Sequence, residues 1–285
     1  ERPKFGAMPQ SGSDFVTAPE MTPLFGQTLA VQVADALTAT GTDEVWEFGA
    51  GSGALAAQLL GALGEQVRRY TIVDLSGSLR ARQQLALAAY GDRVRWVDAL
   101  PEHFDGVVVG NEVLDAMPVQ LLARLKGVWH ERGVAWAGDQ FAWADQPTDL
   151  RPPVDIEGEH DYLTEIHPQA KAFIRTLADR LGRGAVFLLD YGFGESEYYH
   201  PQRHMGTVMC HQAHQADGDP LVSVGAKDIT AHVDFTGIAL AAQDDLADGQ
   251  PGFTVLGYTT QAHFLMNCGL LSKMEHSAQD QRALA

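Results

Sequence analysis

The chain has 285 residues, 45% of them hydrophobic and 20% charged, with a net charge of −17. That is a globular composition, long enough for one large domain or two small ones. The acidic balance excludes the basic stripe of a nucleic-acid binder, so no nucleic acid is expected as partner; it fits a cationic small molecule, a basic protein or plain solubility.

Residues 1–16 are rich in Gly, Pro and Ser and read as loosely ordered. Thr17–Pro23 is a capped, proline-bearing lead-in to a helix from about Leu24 to Thr38. Val45, Trp46 and Phe48 then form a short β-favouring run that meets Gly49-Ala50-Gly51-Ser52-Gly53, with a helix over Ala54–Leu63. Tyr70–Asp74 is a second strand ending in an acid, and Ser76–Tyr90 a helix with Leu79, Leu85 and Leu87 on its apolar side. Arg93–Asp98 is a third strand, and Gly106–Gly110 a continuous apolar run of the buried parallel kind. It empties into Asn111, Glu112 and Asp115. Leu121–Trp143 alternates apolar and polar residues around Lys126-Gly127 and Arg132-Gly133, which predicts inserted antiparallel hairpins. A Pro- and acid-rich loop (147–158), a helix over His167–Leu181 and a strand over Ala185–Tyr191 follow. Residues 195–226 read as a long polar loop facing substrate, Asp228–Ala242 as a helix capped by Asp228, Phe253–Thr260 as β-like and Ala262–Leu271 as apolar.

Strands alternating with helices, with acids at the strand ends, predict an α/β fold: a doubly wound, mostly parallel, Rossmann-like sheet with an inserted antiparallel lobe and its ligand at those strand ends. The expected divisions are an N-terminal loop and helix (1–40), the nucleotide-type core (41–117), the hairpin lobe (118–165) and the rest of the core (166–285). Glycines let the backbone approach a ligand, and the helix behind them offers its unpaired N–H groups. The turn alone also fits a dinucleotide pattern through Gly49, Gly51 and Ala54, so a nicotinamide-dependent oxidoreductase is a rival reading.

Glu47 precedes the first glycine by two positions, and this E-x-G-x-G-x-G run resembles the first motif of class I S-adenosylmethionine (SAM) methyltransferases. A sulfonium-bearing amino acid favours a nearby anion where a pyrophosphate would not. In that reading Glu47 and Gly49–Gly53 hold the methionine part of SAM. Asp74 takes the ribose hydroxyls, with Leu75 against the adenine. Asp98 accepts from the adenine amino group, with Ala99 and Leu100 flanking the ring. Asn111 belongs to the cofactor side, at the strand end where methyl group and acceptor meet.

The resemblance extends along nearly the whole chain. DFVTAPE (Asp14–Glu20), EFGAGSGALA, Asn111-Glu112-x-x-Asp115-Ala116-x-Pro118, Asp190-Tyr191-Gly192 and DITAHVDF (Asp228–Phe235) are similar to the MidA family of SAM-dependent methyltransferases. That family includes a mitochondrial complex I assembly factor that acts on an arginine of a core subunit. The resemblance implies a protein arginine N-methyltransferase whose partner is a protein, a respiratory complex I subunit being one candidate, and it allows a homodimer. A small-molecule methyltransferase and a non-catalytic SAM-binding assembly factor are the alternatives. A guanidinium stays protonated, so its pocket needs carboxylates, and Glu112 and Asp115 are the catalytic candidates. Asp115 otherwise caps a helix, and Tyr191 either lines the acceptor pocket or finishes a strand. Sheets of this family close with an antiparallel strand, and none is visible after Leu271.

The remaining features have plainer readings. His200, His204, His211 and His214 have no common ligand spacing, so no metal is expected. His232 reads as a packing residue in mid-helix, and Trp129, Trp136 and Trp143 as core or a partner surface. Cys210 and Cys268 are too few for a disulfide framework and suit a reducing cytoplasm or organelle matrix, with the location read as cytoplasmic. No apolar run reaches membrane-spanning length, so no membrane insertion is expected. No signal peptide is visible, but the chain starts at Glu1 without Met, which leaves targeting open.

Overall fold

A computed structural model describes residues 17–212, 215–246 and 249–275, and divides the chain into two units. The described part of the first unit covers residues 17–113, 180–189 and 256–275; the second covers residues 114–179 and 190–255. The expected looseness of residues 1–16 lies outside the described residues. No described helix is long and apolar enough to cross a membrane.

The first unit begins with α1 (Ala18–Met21) and α2 (Leu24–Thr40), then β1 (Glu44–Phe48), α3 (Ala54–Leu63), β2 (Arg69–Val73), α4 (Gly77–Ala86), β3 (Val94–Val97) and β4 (Phe104–Asn111). A five-stranded parallel sheet has the order β3-β2-β1-β4-β9, where β9 is Leu181–Leu189. Val107, Val108 and Val109 in β4 are fully buried, as an apolar run covered on both faces must be. Leu29 and Val33 of α2 and Leu59 and Leu60 of α3 pack with Val45, Ile72 and Val107 in one apolar core. Burying each such side chain is worth about 1.5–3 kcal/mol. The register aligns Phe48 with Val73 and with Gly110, and Val73 with Val97. The strands are parallel, so Gly49, Asp74, Asp98 and Asn111 all leave the sheet at one edge.

The second unit carries β5 (Gln120–Leu125), β6 (Val128–Ala137), β7 (Gln140–Pro147) and β8 (Tyr162–Ile166) in an antiparallel sheet of order β7-β6-β5-β8. Lys126 and Gly127 both have positive φ (50° and 82°), the turn geometry that matches strand twist. Arg132-Gly133 was expected as another turn. It lies inside β6, where Arg132 pairs with Asp145 across the ladder, and the chain reverses at Gly138-Asp139 instead. Of the three tryptophans, Trp136 is 68% exposed and stacks on Phe141 at 4.5 Å, so it is not core.

Further expectations are corrected. The helix α5 spans Pro168–Arg180, and β9 starts at once at Leu181, with no break at Gly182. Leu85 is 82% exposed, because the buried stripe of α4 runs through Gln83 to Leu87. Residues 195–226 are more than a loop: β10 (Gly192–Phe193) precedes α6 (Glu195–Tyr198), β11 (Met209–Gln212) and β12 (Gln215–Asp217). Glu165, fully buried in β8, orders this stretch by accepting from Thr207 N–H (2.7 Å), Val208 N–H (3.2 Å) and the Tyr198 hydroxyl (3.0 Å). The expected helix over Asp228–Ala242 begins seven residues late. Asp228–Thr230 is strand β13 paired with β11, and β14 (Val233–Asp234) follows. Asp234 caps α7 (Phe235–Gln243) by accepting from Gly237 N–H at 3.1 Å. His232 therefore lies before the helix. Phe253–Thr260 is not a strand, since no described strand pairs with it and Leu256 is 91% exposed. The apolar stretch after it forms α8 (Gln261–Asn267) and α9 (Leu270–Glu275). Both cysteines are free and buried.

Candidate active site

The glycine turn is shaped by backbone geometry that side chains resist. Gly49, Gly51 and Gly53 have φ of 65°, 51° and 87°. A Cβ on Gly49 would stand 2.9 Å from Val113 Cγ2, so that position is closed by the fold. A Cβ on Gly51 would meet nothing within 4 Å, so the space above Gly51 is open. Ala50 is buried, Ser52 half-buried, and Gly53 caps α3 without a side-chain partner, leaving first-turn N–H groups to face the same edge.

Asp74 is held from within. Its Oδ1 accepts from Ser76 N–H (2.7 Å) and its Oδ2 from Gln83 Nε2 (2.8 Å). A carboxylate has about four acceptor positions, so two remain for ribose hydroxyls. Gln83 is the residue that sequence reasoning missed. It is fully buried, donates also to the Gly51 carbonyl (3.1 Å), and accepts from Trp96 Nε1 (2.9 Å). It thereby ties the glycine turn to the end of β2. The available signal was its place between Leu79 and Leu87, four residues from each: one polar side chain in an apolar helical stripe. Leu75 is 83% exposed beside Asp74, as a surface for a ring would be.

Asp98 also lies at this edge, on the guanidinium of Arg80, which donates to the Asp74 carbonyl at 2.8 Å. Ala99 and Leu100 do not accompany it. They line a cavity of about 840 Å³ together with Glu44, Arg69, Phe104 and Arg183, residues at the strand starts. The Leu100 carbonyl accepts from Arg180 Nη1, next to the start of β9. The structure does not bring these two residues to the glycine turn. That cavity is large, but its carboxylates are matched: Glu44 by Arg68 (2.5 Å), Arg95 (3.6 Å) and Arg69 (3.8 Å), and Asp105 by Arg183 (3.1 Å).

Glu47 sits inside the sheet, 1% exposed, and accepts from the Tyr70 hydroxyl at 2.8 Å. Burial pushes its carboxyl up to about 8, against the opposing pull of the Tyr70 hydrogen bond. At neutral pH it is mostly a neutral acid, where a fixed anion was expected.

At the end of β4, Asn111 is 7% exposed and its Nδ2 has no hydrogen-bond partner. A buried amide with idle donors calls for a ligand or solvent. Glu112, the next residue, has φ of 53°, the left-handed region a non-glycine residue rarely occupies. Its N–H donates to the Leu189 carbonyl at 2.8 Å. Strain of this kind persists only where surrounding structure imposes it, and it concentrates at functional sites. These groups fit SAM: open space over Gly51, spare acceptors on Asp74 and idle donors on Asn111.

In the second unit, Asp115 is 5% exposed; no helix begins there, so it is not a helix cap. Tyr191 lies beyond the end of β9 and is 58% exposed. Among the described residues no three His, Cys, Asp or Glu side chains could hold a metal, and His214 lies outside them.

Comparison with known proteins yields a family model, described as S-adenosyl-L-methionine-dependent methyltransferase, that matches residues 28–253. The zebrafish protein arginine methyltransferase NDUFAF7, mitochondrial, is 26% identical over 93% of this chain and 68% of its own length. The Caenorhabditis elegans homologue is 26% identical over 93% and 67%. The mouse protein is 27% identical over 90% of this chain and 64% of its own. All three are named mitochondrial, which overturns the expectation of a cytoplasmic location. A crystal structure from Burkholderia thailandensis, described as a candidate methyl transferase bound to S-adenosyl-homocysteine, is 50% identical. It has a TM-score of 0.86 over 98% of this chain and 76% of that one.

Proposed function

The chain belongs to the S-adenosyl-L-methionine-dependent methyltransferase family, and from that premise we propose that it methylates an arginine side chain of a protein. SAM is its cofactor; when bound, it supplies a methyl group on a sulfonium and leaves as S-adenosylhomocysteine. The Asp74 carboxylate would hold the ribose hydroxyls, with Gln83 fixing its orientation. The turn Gly49–Gly53 and the Asn111 amide would bind the amino-acid end. Asp98 would serve the adenine.

The observation that carries the acceptor assignment is Glu112, a carboxylate forced into a left-handed backbone at the end of β4, on the edge that bears the glycine turn. A guanidinium keeps its proton in proteins and carries a desolvation cost, both of which a fixed carboxylate offsets. Glu112 would orient one guanidinium nitrogen for in-line attack and take the proton that nitrogen releases as its new bond to carbon forms. The family resemblance makes Asp115 the other catalytic candidate. Similarity to proteins named arginine methyltransferases supports this choice of acceptor over a small molecule. A respiratory complex I subunit is the acceptor that the family resemblance suggests.

Incubation of the protein with methyl-labelled SAM and a cell lysate tests the proposal, with mass spectrometry of labelled bands. Methylated arginine in a discrete protein is the expected result. Label confined to small molecules, or to lysine or carboxylate side chains, contradicts it.

A further inference from the structure

The motifs at Asp115-Ala116, Asp190-Tyr191 and Ala231–Val233 are joined by hydrogen bonds in the second unit. Asp190 is the centre. Its Oδ2 accepts from the N–H groups of Leu114 (2.8 Å) and Asp115 (3.3 Å), and its Oδ1 accepts from Tyr191 N–H (2.9 Å). The Asp115 carbonyl accepts from Ala231 N–H at 2.9 Å, and the Tyr191 carbonyl accepts from Val233 N–H at 2.8 Å. No helix or sheet ladder supplies partners to the N–H groups of Leu114 and Asp115, which lie in a turn between β4 and β5. A charged acceptor that gathers several N–H groups makes stronger and shorter bonds than a neutral one.

We infer that Asp190 is a positioning residue for methyl transfer: its carboxylate fixes the turn 114–118, and with it the aim of Asp115. The inference rests on the arginine-methylation reading given under the previous heading. Two oxygens serving three N–H donors from two chain segments set the loop against the chain that leaves β9. Asparagine, with the same shape, has one acceptor oxygen. It can keep the Leu114–Asp115 side or the Tyr191 side, and its NH₂ opposes the donor on the other. Alanine keeps neither. The order of loop order and of turnover is therefore aspartate, then asparagine, then alanine. A residue that merely supports folding would lower thermal stability and SAM affinity together, with no separate effect on transfer.

The test compares the wild-type protein with Asp190→Asn and Asp190→Ala by three measurements. Calorimetry gives SAM affinity. Hydrogen–deuterium exchange of the peptide covering 111–118 gives loop order. Initial transfer rates against lysate dilution, at saturating labelled SAM, give an apparent maximum and half-saturation. The expected result for Asp190→Asn is SAM affinity within about threefold of wild type, faster exchange at Leu114 and Asp115, and a maximum rate lower by roughly ten- to a hundredfold, the cost of a small misplacement. Asp190→Ala should lie further along the same line. Unchanged exchange at Leu114 and Asp115, or transfer that falls only in proportion to SAM binding, overturns the inference. Should Asp190→Ala fail to fold, Asp190→Asn decides alone. If the wild-type protein labels no acceptor, the arginine reading fails, and the exchange measurement still decides whether Asp190 holds the loop.

Discussion

The two edges of the parallel sheet differ in what their polar groups have left to do. At the strand starts, an open cavity of about 840 Å³ is lined by carboxylates and guanidiniums already matched to one another. At the strand ends, three glycines and Glu112 have positive φ, the buried Asn111 amide has an idle donor, and Asp74 keeps two acceptor positions after its two internal bonds. Volume favours the first edge and unfinished chemistry the second. Exposed ion pairs are worth little and ask for no ligand, whereas strain and idle buried donors have a cost that a bound ligand offsets. Unsatisfied groups, and not size, are what support the strand-end edge as the proposed cofactor site.

The strongest way to break the contrast is Glu112→Gln. The change keeps size and hydrogen bonding and removes charge and basicity. Methyl transfer at saturating SAM should fall by roughly 10²–10⁴, while SAM affinity changes by under about tenfold. Lost SAM binding with transfer intact would move Glu112 to the cofactor side.

The next effect is on stability and pH. Glu47 has its carboxyl raised from 4.5 to about 8 by burial. An acid whose folded value is raised contributes stability that is full below the unfolded value and is lost as pH rises toward the folded one. Stability should thus decline between about pH 4.5 and 8, by an amount on the order of a few kcal/mol. Glu47→Gln, which can still accept from Tyr70, should flatten that decline in denaturant titrations. An unchanged slope would show that Glu47 ionises freely in the fold.

Smaller again is the loss from the Asp74 arrangement. Asp74→Ala should weaken SAM by about tenfold or more, since a charge-assisted hydrogen bond is worth roughly 1.5–3 kcal/mol. Gln83→Leu should weaken it less, by loosening both Asp74 and the Gly51 carbonyl, and calorimetry would rank the two. Equal affinity in all three proteins would remove Asp74 from the cofactor site. At the strand-start edge, Arg69→Ala and Arg95→Ala should each change stability by under about 1 kcal/mol and leave SAM affinity unaltered. A large loss of SAM affinity in either would reverse the comparison.

Much of the strand-end edge was legible in the sequence because its signals are local. EVWEFGAGSGALAA gives strand, turn and helix with their boundaries, and GVVVG reads as a buried parallel strand because β4 is covered on both faces. What was not legible depended on distant contacts. Gln83 carries no motif, and its role comes from meeting Gly51, Asp74 and Trp96 across three elements. The segment at 228–242 was read as a helix capped by Asp228, but Asp228–Thr230 pairs with β11 and the cap falls to Asp234. Ala99 and Leu100 follow an acid at a strand end, yet the loop after β3 turns back toward the strand starts, which spacing alone does not reveal. The charge state of Glu47 was set by burial beside Tyr70, a cross-strand fact.

The most direct measurement is a calorimetric SAM titration of Gly51→Val beside Arg69→Ala. A side chain on Gly51 meets no protein atom within 4 Å of its Cβ, so its branched methyls should project into the space assigned to the cofactor. The backbone penalty of a left-handed non-glycine residue is about 1–2 kcal/mol, which a folded protein can bear. Abolished SAM binding in a folded Gly51→Val, with wild-type affinity in Arg69→Ala, is the predicted result. Wild-type SAM affinity in Gly51→Val would contradict the account, because the cofactor would then not lie over this turn.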